Sequence, residues 1–168
     1  MSEQQRLRYP ELAPEGIAAL AAVEHHLNTA SGLTHALLEF VRLRCSQLNG
    51  CEYCIGLHTH VLTRANEPTS RIEAVAQWAA SDAFTHREQA ALRWAEVITN
   101  IQDGHASDPE FAAVREHFED HEVVELTLAI AAINAWNRMA IAFRPQWRRP
   151  ATKPGTMAPA AIDHENRP

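Results

Sequence analysis

Lysine is nearly absent from this chain: of its 15 basic residues only Lys153 is a lysine, and it stands in a proline-rich tail. Schiff-base chemistry and a phosphate-gripping lysine in the core are thereby excluded. Glycine is also scarce, at six in 168 residues, and no two glycines are spaced to build a GxGxxG or Walker cradle. The longest uncharged stretch of membrane-like character, Leu126 to Asn137, has 12 residues and two asparagines, too short to span a bilayer. MSEQQRLRYP at the N-terminus has no apolar core of the signal-peptide kind. These absences predict a cytoplasmic protein without a membrane partner.

With 46% hydrophobic and 21% charged residues, the composition is that of a globular chain, and the length fits one domain. The net charge of −6 offers no global attraction for nucleic acid, and the tryptophans at 78, 94 and 136 read as core or interface residues. The charge divides unevenly: residues 138–168 carry six basic and two acidic groups, and residues 1–137 carry the acidic excess. The sequence therefore divides into a helical domain over 1–143 and a proline-rich basic C-terminal arm over 144–168.

Helical periodicity runs through most of the first part, and no alternating strand pattern is present. Helices are predicted from Pro14 to about Asn28, from His35 (capped by Thr34) to about Leu48, and from the cysteine motif to about Asn66. Ser70-x-x-Glu73 and Thr85-x-x-Glu88 fit capping boxes opening helices of about 10 and 16 residues. Asp108-Pro109 fits an N-cap with proline at N1, opening a helix to about Phe118. The segment from Glu122 to Phe143 is apolar on nearly all sides, the pattern of a buried central helix. The fold class is all-α.

Three cysteines are present, and two of them, Cys51 and Cys54, form C-x-x-C. In a reducing compartment such a pair is more often catalytic or metal-binding than structural. If Gly50 separates two helices, both cysteines fall in the first turn of the second one. There the helix dipole and unpaired N–H groups lower a thiol pKa. His58 follows Cys54 by four residues and shares its helix face. Glu39 and His58 lie about 16 and 12 Å from the turn at 1.5 Å per residue, so antiparallel helices bring them to similar depth. The result is a candidate relay: Glu39 orients His58, His58 deprotonates Cys54, and Cys51 resolves an oxidised sulfur as a disulfide.

Alternative readings of the same residues are an inert buried pair and a zinc site from Cys51, Cys54, His58 and Glu39. Cys45 has no partner at useful spacing and reads as core. His60 reads as a surface or interface residue. Asn134, Asn137, Arg138 and Ile141 share a stripe of the last helix that suits inter-helix hydrogen bonding, a pocket wall or a subunit contact.

The pattern E-x11-C-x2-C-x3-H, filled by Glu39, Cys51, Cys54 and His58, resembles the core of the AhpD-type alkylhydroperoxidases of the carboxymuconolactone decarboxylase superfamily. The stretch R-x-x-x-L-N-G-C-x-Y-C (Arg44 to Cys54) and INAWNR (Ile133 to Arg138) extend the likeness, which is dense over residues 37–66 and fades beyond Arg144. The resemblance implies an AhpD-like all-helical domain with C-x-x-C at a helix N-terminus, assembled as a homotrimer or homohexamer. It also implies a disulfide-cycling peroxidase that uses no cofactor. Its substrate would be a hydroperoxide and its reductant a dithiol of the thioredoxin or lipoyl type. Carried over, Cys54 would be the peroxidatic cysteine, Cys51 the resolving one, and His58 and Glu39 the relay. Tyr53 departs from members that carry histidine just before the second cysteine. Two other outcomes remain open: a non-enzymatic redox-sensing or zinc-binding module, and a decarboxylase-type enzyme, although the decarboxylase arm generally lacks the cysteine pair.

Overall fold

The computed structural model describes residues 4–146, so the arm expected over 144–168 lies almost wholly outside the described residues. Among the described residues eight α-helices follow in order: α1 (Tyr9–Leu12), α2 (Pro14–Thr29), α3 (His35–Asn49), α4 (Glu52–Arg64), α5 (Thr69–Ala74), α6 (His86–Thr99), α7 (Asp108–Arg115) and α8 (Asp120–Phe143). Short 3₁₀ segments occupy Val75–Ala80 and Ile101–Asp103, and no strand occurs among the described residues.

Helix α3 is the centre of the bundle, packed against α4, α6 and α8. Nine of its residues are buried, among them Leu38, Phe40, Val41, Leu43 and Cys45. The larger core cluster unites Leu38 and Val41 with Ala91 and Ala95 of α6 and Leu126, Ile130 and Ile133 of α8. A second cluster joins Phe40 and Leu43 to Leu62, Val75, Phe84 and Leu92.

Local chemistry explains the boundaries that matter for the site. The Thr34 hydroxyl accepts the Leu37 N–H and opens α3. Gly50 ends α3 in the left-handed conformation (φ 65°), where L side chains are strained. The next residue, Cys51, is already the N-cap of α4. The chain therefore reverses within two residues, and α3 and α4 lie side by side.

The capping box at Thr85/Glu88 forms as expected and opens α6. The one at Ser70/Glu73 does not. Pro68 occupies the N-cap position, so the helix starts at Thr69, and after Ala74 it tightens into 3₁₀ geometry with a kink at Gln77. At α7 the N-cap is Ser107 rather than Asp108, and the helix ends at Arg115, short of Phe118. Helix α8 begins at Asp120, two residues before the expected start, because Glu119 and Glu122 form a capping box of their own.

Helix α8 also corrects the expectation of all-round burial. Val123, Leu126, Ile130, Ile133 and Ala140 face the core, whereas Val124, Leu128 and Ile141 are 67%, 38% and 46% exposed. At 24 residues it is the one described helix long and apolar enough to cross a membrane by length and composition. The shorter uncharged stretch had concealed this.

Candidate active site

Antiparallel packing of α3 and α4 brings together the residues singled out by spacing. His58 Nδ1 donates to Glu39 Oε2 at 2.8 Å, and both side chains are buried. Glu39 does not hold the histidine alone. Its other oxygen, Oε1, accepts from Arg42 Nη1 at 2.6 Å. Arg42 lies one helical turn further along α3, at i+3, and is 2% exposed. Arg42 also donates to Asn28 Oδ1 (3.0 Å) and Glu24 Oε2 (2.6 Å), tying α3 to α2.

Burial alone would raise the Glu39 pKa, but the charges and hydrogen bonds of His58 and Arg42 outweigh it and hold the carboxyl at about 2. Glu39 is thus a permanent carboxylate at neutral pH. Its bond to Nδ1 leaves Nε2 as the ring nitrogen available to Cys54, one turn earlier on the same face of α4.

The two thiols are free and buried. Cys51 Sγ accepts the Cys54 backbone N–H at 3.4 Å, a sulfur acting as N-cap. Sequence reasoning lowered the pKa of both thiols, and the structure separates them. The Cys54 thiol hydrogen-bonds to the Cys51 sulfur. With help from the backbone N–H groups of Cys54 and Tyr53 and from Asn137, it brings Cys51 down to about 7. Cys54 moves the other way, because its proton is shared with the Cys51 sulfur and because burial and that sulfur's charge oppose a second thiolate. Only one of the two sulfurs ionises near neutral pH, and Cys51 is the one favoured.

A third helix supplies the wall. Asn137 of α8 is fully buried, and its amide interacts favourably with both sulfurs. It also donates to Ser46 Oγ (3.1 Å) and accepts from Asn49 (2.9 Å). Asn49 in turn reaches Asn134 (2.9 Å), whose amide bonds Thr99 Oγ1 (3.0 Å). The asparagines thus provide inter-helix bonding, and Asn137 stands beside the thiol pair. Ala140, one turn beyond Asn137, packs on Cys51 and Cys54 together with Tyr53.

Cys45 is core as expected, fully buried and accepting from Thr99 Oγ1 (3.3 Å), with burial raising its pKa to about 12. His60 is half-buried on α4. The zinc alternative is not assembled: no three metal-ligating side chains converge among the described residues, and Glu39 is committed to His58 and Arg42. Arg42 escaped the sequence reading, although Glu39-x-x-Arg42 inside an apolar segment was a usable signal for a buried ion pair.

A pH profile tests the lowered thiol. Alkylation of the pair by iodoacetamide is expected to rise with a midpoint near pH 7, since the thiolate reacts and its fraction grows with pH. A midpoint near 9, the ordinary thiol value, would refute the shared-proton arrangement.

Residues 14–97 match the carboxymuconolactone decarboxylase family. The chain belongs to that family. It is 36% identical to the uncharacterised protein YdfG of Bacillus subtilis over 138 residues, covering 82% of this chain and 93% of YdfG. A protein of unknown function from Agrobacterium tumefaciens, whose name links it to the antioxidant defence protein AhpD, superposes with a TM-score of 0.83 at 35% identity. That match covers 87% of this chain and 99% of the other. A peroxidase-related protein from Ralstonia eutropha with an alkylhydroperoxidase AhpD core gives 0.71 at 25% identity, over 82% and 74% of the two chains. The family fold is the AhpD-like all-α bundle expected from the resemblance.

Proposed function

We propose that this family member is a thiol-dependent peroxidase of the alkylhydroperoxidase type, cycling Cys51 and Cys54 between dithiol and disulfide. One observation carries the reading: a buried Glu39–His58 pair at 2.8 Å stands one helical turn from a cysteine pair that caps the same helix. An inert packing pair would need neither the carboxylate nor the imidazole.

In this reading Cys54 gives its proton to His58, directly through Nε2 or along a water, and the thiolate attacks the terminal oxygen of a hydroperoxide. The S–O bond forms as the O–O bond breaks, leaving a sulfenic acid and an alkoxide that is protonated to the alcohol. Cys51, three residues away and the sulfur with the lowered pKa, attacks the sulfenic sulfur as a thiolate, and the S–S bond forms as hydroxide leaves and takes up the proton that Cys51 had released to solvent. A dithiol of the thioredoxin or lipoyl type then returns both thiols. The exposed apolar side chains of Val124, Leu128 and Ile141 on α8 support a homo-oligomer, trimeric or hexameric, in which they are covered. The protein works in the reducing cytoplasm, where the pair is regenerated.

The test is a thiol titration with mass spectrometry on protein treated with organic hydroperoxide. Two of the three thiols are expected to disappear, the chain to lose two hydrogens, and the linked peptides to contain Cys51 and Cys54. Thiols that stay reduced under excess hydroperoxide would reject the reading.

A further inference from the structure

The segment ahead of α2 lies across the end of α8. The Arg6 backbone N–H donates to the Phe143 carbonyl (2.9 Å), and its guanidinium donates to the Ala142 carbonyl (3.1 Å). Those carbonyls belong to the last turn of a helix and have no intrahelical partner, so the strap caps α8. Three residues further on, Tyr9 opens α1 with its ring 5.5 Å from that of Phe143. Asn137, Ala140 and Phe143 recur at three-residue spacing on α8. The first touches the sulfurs, the second packs on them, and the third carries Tyr9. The half-buried Tyr9 ring therefore lies on the turn of α8 that follows Ala140, the residue packed on both thiols.

On the peroxidase reading, on which this rests, we propose that Tyr9 is a further catalytic residue whose hydroxyl donates the proton taken up by the leaving oxygen of the hydroperoxide. The relay of Glu39 and His58 accounts for the proton that leaves Cys54 but assigns no donor to the departing alkoxide. When the Cys54 thiolate forms the S–O bond and the O–O bond breaks, the alkoxide takes the Tyr9 proton and leaves as the alcohol. The resulting phenolate is reprotonated by solvent, which has received the proton released through His58. An alkoxide is a stronger base than a phenolate, so the transfer runs downhill.

The phenol is suited to that step. Burial, the neighbouring Tyr53, and the charges of Cys54 and Cys51 push its pKa up to about 12, so it is fully protonated at neutral pH. Tyr53, Cys54 and Cys51 are the titratable groups whose charges reach it. Tyr53, adjacent to Cys54 in sequence, is raised by burial and by the same two sulfurs.

The experiment compares two oxidants on the full-length wild type, Tyr9→Phe and Tyr53→Phe, following disulfide formation by rapid quench. tert-Butyl hydroperoxide expels a strongly basic alkoxide, whereas peracetic acid expels acetate, which leaves without a proton. Tyr9→Phe keeps the ring against Phe143 and is expected to leave the melting temperature unchanged. It should slow the tert-butyl hydroperoxide reaction by about 10- to 100-fold, the lower range of general-acid effects, and leave the peracetic acid rate within about twofold. Equal losses with both oxidants would assign Tyr9 a packing role and overturn the proposal. So would an unchanged hydroperoxide rate, or a selective loss confined to Tyr53→Phe. A wild type inert to tert-butyl hydroperoxide overturns the peroxidase reading and this assignment together, and is thereby told apart from a reactive wild type with an equally reactive variant.

Discussion

Cys54→Ser is expected to consume no hydroperoxide, whereas Cys51→Ser should reduce one equivalent and stop at the sulfenic acid. The asymmetry follows from position. Cys54 shares a helix face with His58 at i+4, and its loss removes the sulfur that the relay serves. A serine hydroxyl remains protonated at neutral pH and does not attack the O–O bond. At Cys51 a serine oxygen makes a better N-cap than sulfur, so α4 keeps its first turn. Removing the Cys51 sulfur also relieves the proton sharing and charge repulsion that raise the Cys54 pKa, so the first attack should not slow. Dimedone trapping of the sulfenic acid and peroxide stoichiometry distinguish the two variants. The reverse pattern would assign the attack to Cys51, the sulfur with the lowered pKa.

Arg42→Met should lower stability by about 3–5 kcal/mol, the usual result of removing one partner from a buried ion pair. Two carboxylates, Glu39 and Glu24, lose their guanidinium, and both accept from it at 2.6 Å in the native protein. For a chain of this size the melting temperature should fall by on the order of 10 °C. Acid titration identifies the cause. Glu39 is held at about 2 in the folded state against 4.5 ordinarily. Its ionic contribution is therefore complete above pH 4.5 and is lost as the pH falls toward 2. In the variant the folded value rises, so the wild-type advantage should narrow as the pH drops through that window. A stability difference constant from pH 7 to 3 would show that the arginine acts by packing alone.

How far the sequence revealed this site depends on the range of each interaction. The cysteine turn was readable because Gly50, Cys51, Cys54 and His58 are related by local helix geometry. The meeting of Glu39 with His58 followed from two helix lengths and a tight turn. The second half of the charge network was not readable, since Arg42 meets Glu24 across 18 positions and no periodicity encodes that pairing. The placement of Tyr9 on Phe143 is longer-range still. Ser70-x-x-Glu73 misled because Pro68 took the capping position first. The apolar pattern of α8 was correct in composition but could not say that one face stays uncovered in a single chain.

The sulfur cap of α4 also has a thermodynamic side. The N–H of Cys54 and the amide of Asn137 favour a thiolate, and a thiolate exists only in the dithiol form. Every such interaction stabilises the reduced member of the redox couple and raises its reduction potential above that of an unstructured dithiol. On the proposed disulfide cycle, the geometry that favours the thiolate thus also makes the disulfide an eager acceptor. The helix start that arms the thiols lowers the barrier to resetting them, and in the tenfold steps of this two-electron couple each ~30 mV gained there is one step.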